Sequence, residues 1–130
     1  MRALLDTNVV VRHLTGDPPS QARRASAFLA GSHELVLSDV IIAELVFVLE
    51  SYYGQPRERV AEATRSLLAL PSVAVVDNEL LLRALELYEF FRLDFAEAYL
   101  AALAEGSGIR RVASFDRALA RLKSIERIEP

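Results

Sequence analysis

The sequence contains no cysteine and no tryptophan, and only one of its 15 basic residues is a lysine. The lack of cysteine excludes disulfides, zinc sites built on thiolates and cysteine nucleophiles. Any metal ion would therefore be held by oxygen atoms or by histidine. The other basic residues are all arginines, whose planar guanidinium suits two-point contacts with phosphate.

Long apolar runs are also lacking. The longest stretch without a charge, residues 66–76, is far shorter than the roughly 20 residues that a membrane-spanning helix needs. Charged residues follow Met1 so closely that the apolar segment of a secretion signal is absent. We therefore expect no contact with a membrane and a cytoplasmic location.

The chain of 130 residues has the length of one domain, and we expect a single domain over residues 1–130. A hydrophobic share of 52% beside a charged share of 25% is typical of a folded protein. The formal net charge of −3 argues mildly against a protein that coats nucleic acid by bulk electrostatics.

Short apolar segments alternate with longer helical patterns along the chain. The pattern predicts strands at residues 2–5, 35–37, 73–76, 111–113 and 127–128, and helices at residues 8–14, 20–30, 39–53, 57–70, 79–92, 95–105 and 117–122. Short strands separated by helices indicate an α/β fold with a parallel sheet covered on both faces. In such sheets ligands bind beyond the carboxyl ends of the strands.

Acidic residues occupy several of these strand ends and helix starts, namely Asp6, Glu44, Asp94, Glu97 and Asp116. For most of these acids, helix capping is an alternative explanation to a functional role. Asp6 and Asp116 are suited to cap the helices that follow them. Asp94 and Glu97 have the spacing of a capping box.

Glu44 lies in the most apolar part of the chain, since nine of the ten residues 40–49 are apolar. We expect its carboxylate in or beside the core, where burial is costly unless the group is paired or bound to a metal. The alternatives are a buried salt bridge with an arginine and a short exposed seam along the helix.

A parallel α/β topology brings the ends of separate strands to one edge, so we expect the acids to converge. Two carboxylates about 4 Å apart repel by roughly 4 kcal/mol at an effective dielectric constant of 20. The convergence therefore predicts an arginine or a cation among them. Oxygen ligands favour Mg²⁺ or Mn²⁺, which can activate water for attack at phosphorus.

Three short motifs resemble those of PIN-domain ribonucleases, and among them the VapC-type toxins of type II toxin-antitoxin systems. They are Leu-Leu-Asp-Thr-Asn at residues 4–8, Ile-Ala-Glu-Leu at residues 42–45 and Ala-Ser-Phe-Asp-Arg at residues 113–117. The third acid of the family is usually Asp followed by Ala, whereas this chain has Glu97 before Ala98. Asp94 lies one helical turn earlier, so either acid or both can take that role.

The resemblance implies a three-layer α/β/α PIN-like domain with a short central parallel sheet of four to five strands. It also implies metal-dependent cleavage of RNA to a 5′-phosphate and a 3′-hydroxyl, an antitoxin partner and a homodimer. The implied catalytic and Mg²⁺ (or Mn²⁺) ligands are Asp6, Glu44, Asp94, Glu97 and Asp116. Asn8 and Ser114 are expected to orient these ligands or to bind metal-bound water. The expected RNA contacts are Arg12, Arg92, Arg110, Arg111 and Arg117.

Two other functions remain open. The departure at Glu97 favours a catalytically weak PIN-like interaction module. A Mg²⁺-dependent phosphotransfer domain would also use acids at strand ends. The sequence disfavours it, because Thr7 and Asn8 follow Asp6 where such phosphatases usually repeat an aspartate, and no lysine ends a strand.

Overall fold

The computed structural model describes all 130 residues, Met1–Pro130, which form two compact units, Met1–Val76 and Asp77–Pro130. Six α-helices and five short strands follow one another along the chain. Every strand pairing is parallel, which confirms the predicted α/β class. The strands occur in two sheets, one of three strands and one of two.

The first unit contains the three-stranded sheet. Its elements are β1 (Arg2–Leu4), α1 (Thr7–Thr15), α2 (Pro19–Leu29), β2 (Glu34–Val36), α3 (Asp39–Ser51), α4 (Arg57–Leu68) and β3 (Val73–Ala74). Strand β2 is central, with Leu35 paired to Ala3 of β1 and to Val73 of β3. Leu35 and Leu37 are fully buried, so the central strand anchors the core of this unit.

Helix α3 begins where the sequence predicts, because the Ser38 hydroxyl accepts a hydrogen bond from the backbone N–H of Ile41. It buries one stripe, formed by Ile42, Leu45, Val46 and Leu49. The opposite face is open, with Val40 75% and Phe47 68% exposed. An apolar composition on all sides therefore did not lead to burial on all sides.

The second unit consists of α5 (Asn78–Phe90), α6 (Phe95–Ser107), β4 (Arg111–Ala113), a 3₁₀ helix (Arg117–Arg121) and β5 (Glu126–Ile128). Helices α5 and α6 pack closely, as the alanines of α6 predict, and Ala98 and Ala101 are fully buried. The helix predicted at residues 79–92 ends at Phe90, so Phe91 lies beyond it and is 39% exposed, whereas Leu87 within α5 is buried.

Several predicted elements are shorter in the structure. Strand β3 covers only Val73–Ala74, and the side chain of Val76 is exposed. The segment after Asp116 forms a 3₁₀ helix rather than an α-helix. No helix combines the length and the apolar character that crossing a membrane requires.

Arg92 follows the C-cap of α5 in the left-handed backbone conformation, with φ of 56°. Glycine is the usual residue at this position because a Cβ atom is strained there. We expect Arg92→Gly to raise the free energy of unfolding by about 1 kcal/mol. Thermal unfolding measures the change.

The matched control for this prediction is Arg23→Gly, in the interior of α2. Glycine within a helix is expected to lower stability by about 1 kcal/mol. A loss of stability for both variants would show that the backbone at Arg92 is not strained.

Candidate functional site

Asp6 lies at the junction of β1 and α1 and is the N-cap of α1. Its Oδ1 accepts a hydrogen bond of 2.9 Å from the backbone N–H of Thr7. The capping interpretation is therefore correct for this residue. The carboxylate is exposed, so one oxygen is held by the backbone while the group stays accessible to a ligand.

Thr7 connects Asp6 with the helix that carries Glu44. Its Oγ1 donates a hydrogen bond of 2.8 Å to Oε2 of Glu44, across 37 positions of sequence. Thr7 is only 6% exposed, so the hydroxyl is held in a fixed place. We refer to Asp6, Thr7 and Glu44 as the Thr7 cluster.

The expectation that Glu44 lies in or beside the core was wrong. Glu44 is exposed and belongs to the open face of α3. The reason to consider Glu44 as a metal ligand is therefore its contact with Thr7, and not the cost of burying its carboxylate. Of the alternatives, the exposed seam is correct.

Thr7 is a residue that the sequence reasoning did not place in the site. A hydroxyl directly after a strand-end acid was the available signal. We expect Thr7→Val to preserve the fold, because valine has a similar shape, and to lower the RNA cleavage that the resemblance to PIN-domain ribonucleases implies about tenfold by releasing Glu44. Thr7→Ser is expected to restore activity, and equal activity in wild type and Thr7→Val would show that the bond has no role.

The second group of acids lies in the second unit. Asp94 is the N-cap of α6, and its Oδ1 accepts a hydrogen bond of 2.9 Å from the backbone N–H of Glu97. This is half of the predicted capping box. Asp116 is the N-cap of the 3₁₀ helix, with Oδ1 accepting a bond of 2.8 Å from the N–H of Ala118. We call Asp94, Glu97 and Asp116 the Glu97 cluster.

The pKa of Glu97 is raised to about 7. Burial of its carboxyl is the largest cause, followed by a hydrogen bond with Asp116 and by the negative charges of Asp94 and Asp116. The pKa of Asp116 is lowered, first by the same hydrogen bond and then by the N–H of Ala118. Glu97 therefore takes up a proton as the pH falls below about 7, and in that form its carboxyl can donate a hydrogen bond to the Asp116 carboxylate.

Ser114 and Arg127 hold the segment around Asp116 in place. The Ser114 hydroxyl accepts a hydrogen bond of 2.9 Å from the backbone N–H of Asp116. Nη1 of Arg127 donates to the backbone oxygen of Ser114, also at 2.9 Å. Arg127 and Arg121 also lower the pKa of Asp116 by their charge. The sequence reasoning included Ser114 but missed both arginines.

The remaining predicted residues have varied surroundings. Asn8 is exposed in the first turn of α1, and Nε of Arg12 donates to Oε1 of Gln21. Arg111 forms an ion pair of 3.3 Å with Glu126. Arg92, Arg110 and Arg117 are exposed, and Arg110 shares the left-handed backbone conformation of Arg92.

No group of three or more acidic or histidine side chains is arranged so that it could hold a metal ion. The charges of Asp94 and Asp116 shift the pKa of Glu97, but the three side chains are not arranged as metal ligands. The crowded pocket expected from the sequence is thus not present in this form. The predicted acids occur as two smaller clusters, one in each unit.

Comparisons with known proteins identify the family. The chain matches the PIN domain over residues 3–125. Among solved structures it is similar to Mycobacterium tuberculosis VapC20, described as a toxin that cleaves the sarcin-ricin loop, with 20% identity and a TM-score of 0.42. That similarity covers 93% of this chain and 94% of VapC20. Curated protein sequences give no match. Because the matched residues make up nearly the whole chain, the protein belongs to the PIN-domain family.

Proposed function

We propose that this PIN-domain protein is a divalent-metal-dependent endoribonuclease, acting in the cytoplasm as the toxin of a type II toxin-antitoxin pair. The observation that carries the proposal is the match to the PIN domain over residues 3–125, and it is supported by the raised pKa of Glu97, about 7, between two acidic neighbours. A glutamate that only stabilises a helix N-terminus has no need of two acidic neighbours. Carboxyl groups with strongly shifted pKa values are typical of sites that bind cations or transfer protons.

The donor set of both clusters suits Mg²⁺ or Mn²⁺. Every candidate ligand is a carboxylate, and hard cations of this kind prefer oxygen. Mg²⁺ usually takes only one or two protein carboxylates and keeps several waters. The lack of a three-residue ligand group is therefore compatible with Mg²⁺. The residues that would hold such an ion are Asp6 and Glu44 in the first unit, and Asp94, Glu97 and Asp116 in the second.

When bound, the cation would lower the pKa of water and stabilise the charge that develops on the phosphoryl oxygens. The chain itself positions the acids and manages a proton. Thr7 fixes the orientation of Glu44, and backbone N–H groups hold Asp6 and Asp116. The pKa of Glu97 is raised to about 7 beside Asp116, so Glu97 is suited to accept or release a proton near neutral pH during hydrolysis.

The proposed partners are RNA as substrate, an antitoxin protein and a second copy of the chain. The open face of α3, with Val40 and Phe47 exposed, supports the homodimer, because exposed apolar side chains on one helix face are typical of interfaces. The family implies that the antitoxin covers the catalytic acids.

A second candidate function is a catalytically weak interaction module. It is favoured by the lack of a group of three metal-holding side chains, together with glutamate at position 97. The two functions differ in one measurable property, which is cleavage of RNA by the purified protein.

The test compares Glu44→Gln with Glu58→Gln during incubation of total cellular RNA with Mg²⁺ or Mn²⁺. Both residues are exposed glutamates on helices of the first unit, so the change in charge is the same. We expect wild type and Glu58→Gln to cleave RNA, and Glu44→Gln to be weaker by roughly tenfold to a hundredfold. Equal cleavage by both variants would remove Glu44 from the site. No cleavage by wild type would favour the interaction module.

A further inference from the structure

A groove with a volume of about 480 Å³ lies between α1 and α2, within the first unit. Asn8 and Arg12 line it from α1, and Gln21, Arg24 and Phe28 line it from α2. None of the side chains that line this α1/α2 groove is acidic. Its end at Asn8 is two residues from Asp6, so the groove adjoins the Thr7 cluster.

The positive charges of the groove are not neutralised by the protein. Arg24 is exposed and makes no hydrogen bond or ion pair within the chain. The partner of Arg12 is the neutral side chain of Gln21. By contrast, the arginines at positions 2, 83, 111 and 127 all form ion pairs with glutamates. The groove therefore presents two cations that are available to an anionic ligand.

Phe28 gives the groove an aromatic surface. Its ring is half-buried and stacks on the ring of His33, with 4.7 Å between centroids and 28° between planes. Helices α1 and α2 are joined by only three residues, 16–18, and short connections make neighbouring helices antiparallel. Phe28 therefore lies toward the Asn8 end of the groove, with Arg24 one helical turn away.

We propose that the α1/α2 groove binds a single-stranded segment of the RNA substrate. Arg12 and Arg24 contact phosphates, and Phe28 stacks on a base. Unpaired cations that follow the backbone, combined with aromatic platforms for bases, are the two components of single-strand binding sites. Asn8 and Gln21 supply amide groups for base edges or for the 2′-hydroxyl. This inference rests on the proposed function and names the surface that receives the substrate.

RNA binding is measured with the metal-free full-length protein in EDTA, by anisotropy of a short labelled single-stranded RNA. The Arg12→Gln/Arg24→Gln variant is compared with Arg23→Gln/Arg59→Gln, which removes the same charge from exposed positions outside the groove. We expect the groove variant to bind about tenfold more weakly, with the slope of log K against log salt reduced by roughly 1.4 for two lost phosphate contacts. The control variant should bind as wild type does.

The role of Phe28 is tested separately with Phe28→Leu and Phe28→Tyr in the same assay. Leucine retains apolar packing but has no flat ring, so binding is expected to fall about tenfold. Tyrosine keeps the ring and should restore wild-type affinity. Annealing the RNA to its complement is expected to abolish the difference between the two variants, because paired bases are not available for stacking.

The outcomes separate this inference from the proposed function. Equal binding by the groove variant and the control variant would overturn the inference, even if wild type cleaves RNA with Mn²⁺. The groove would then be open to a different class of partner, such as an acidic peptide. Groove-dependent binding without cleavage would support the inference and contradict the nuclease. If wild type neither binds nor cleaves RNA, both fail.

Discussion

Asp116→Asn is expected to leave the fold intact and to lower RNA cleavage roughly a thousandfold. Asparagine caps helices as well as aspartate does, so the bond from the N–H of Ala118 is preserved. What is lost is a negative oxygen that would serve as a metal ligand and whose charge helps to raise the pKa of Glu97. The measurement is the initial rate of cleavage of total RNA with saturating Mn²⁺.

Asp77→Asn is the matched control for this substitution. Asp77 is also an N-cap in the second unit, with Oδ1 accepting a bond of 3.1 Å from the N–H of Leu80. We expect it to retain wild-type activity. Carboxyl NMR of the metal-free protein should also show that Asp116→Asn lowers the pKa of Glu97, because one of its causes is removed. Full activity of Asp116→Asn would contradict the catalytic assignment of the Glu97 cluster.

Mn²⁺ is expected to raise the melting temperature of the protein by about 10 °C when its concentration is a hundred times the dissociation constant. This follows from a stabilisation of about 2.7 kcal/mol by a ligand that binds only the folded state. At a fixed Mn²⁺ concentration the shift is expected to grow as the pH rises from about 6 to about 8, because Mn²⁺ competes with the proton on Glu97 and binds more tightly once that proton is lost. Thermal unfolding with and without Mn²⁺ measures both effects.

The metal-free protein should show the opposite trend in the same pH range. The pKa of Glu97 is raised to about 7 in the folded state, so folding favours its protonated form. The resulting stabilisation is fully present below the ordinary pKa of glutamate and is lost as the pH rises through about 7. The lowered pKa of Asp116 contributes stability above the ordinary value for aspartate, which is constant over this range.

Glu97→Gln isolates the contribution of this residue. The loss of metal-free stability on raising the pH should disappear in the variant, because glutamine does not titrate. The lowered pKa of His13 acts at slightly acidic pH and is the same in both proteins. If Mn²⁺ shifts the melting temperature equally at pH 6 and pH 8, no proton is displaced from Glu97 by the ion.

Local signals in the sequence were sufficient to predict most of the helices and strands. Asp6, Asp94 and Asp116 were identified as residues that cap helices because their side chains are short and precede helical segments. The alternation of short strands and helices gave the parallel pairing correctly. Strand ends and helix ends shifted by a few residues, as at Val76 and Phe91, because fraying depends on packing rather than on residue type.

The candidate site was less accessible to sequence reasoning. Glu44 was misplaced because composition does not reveal which face of an apolar helix remains open. The roles of Thr7 and Arg127 depend on contacts with residues 37 and 13 positions away. Such contacts are set by the tertiary fold, and no spacing rule indicates them. The proximity of Glu97 and Asp116 was anticipated from topology, but the raised pKa of Glu97 could be recognised only from the coordinates.

Three of the acids accept a backbone hydrogen bond with one oxygen each, since Oδ1 of Asp6, Asp94 and Asp116 accepts from an N–H at a helix start. Asparagine retains such a hydrogen bond, so exchange at any of these positions removes charge without unfolding the protein. Loss of the proposed function therefore needs only one conservative exchange and does not require loss of the fold. If the chain acts as the proposed toxin, folded but inactive variants of this kind are expected among cells that survive its expression.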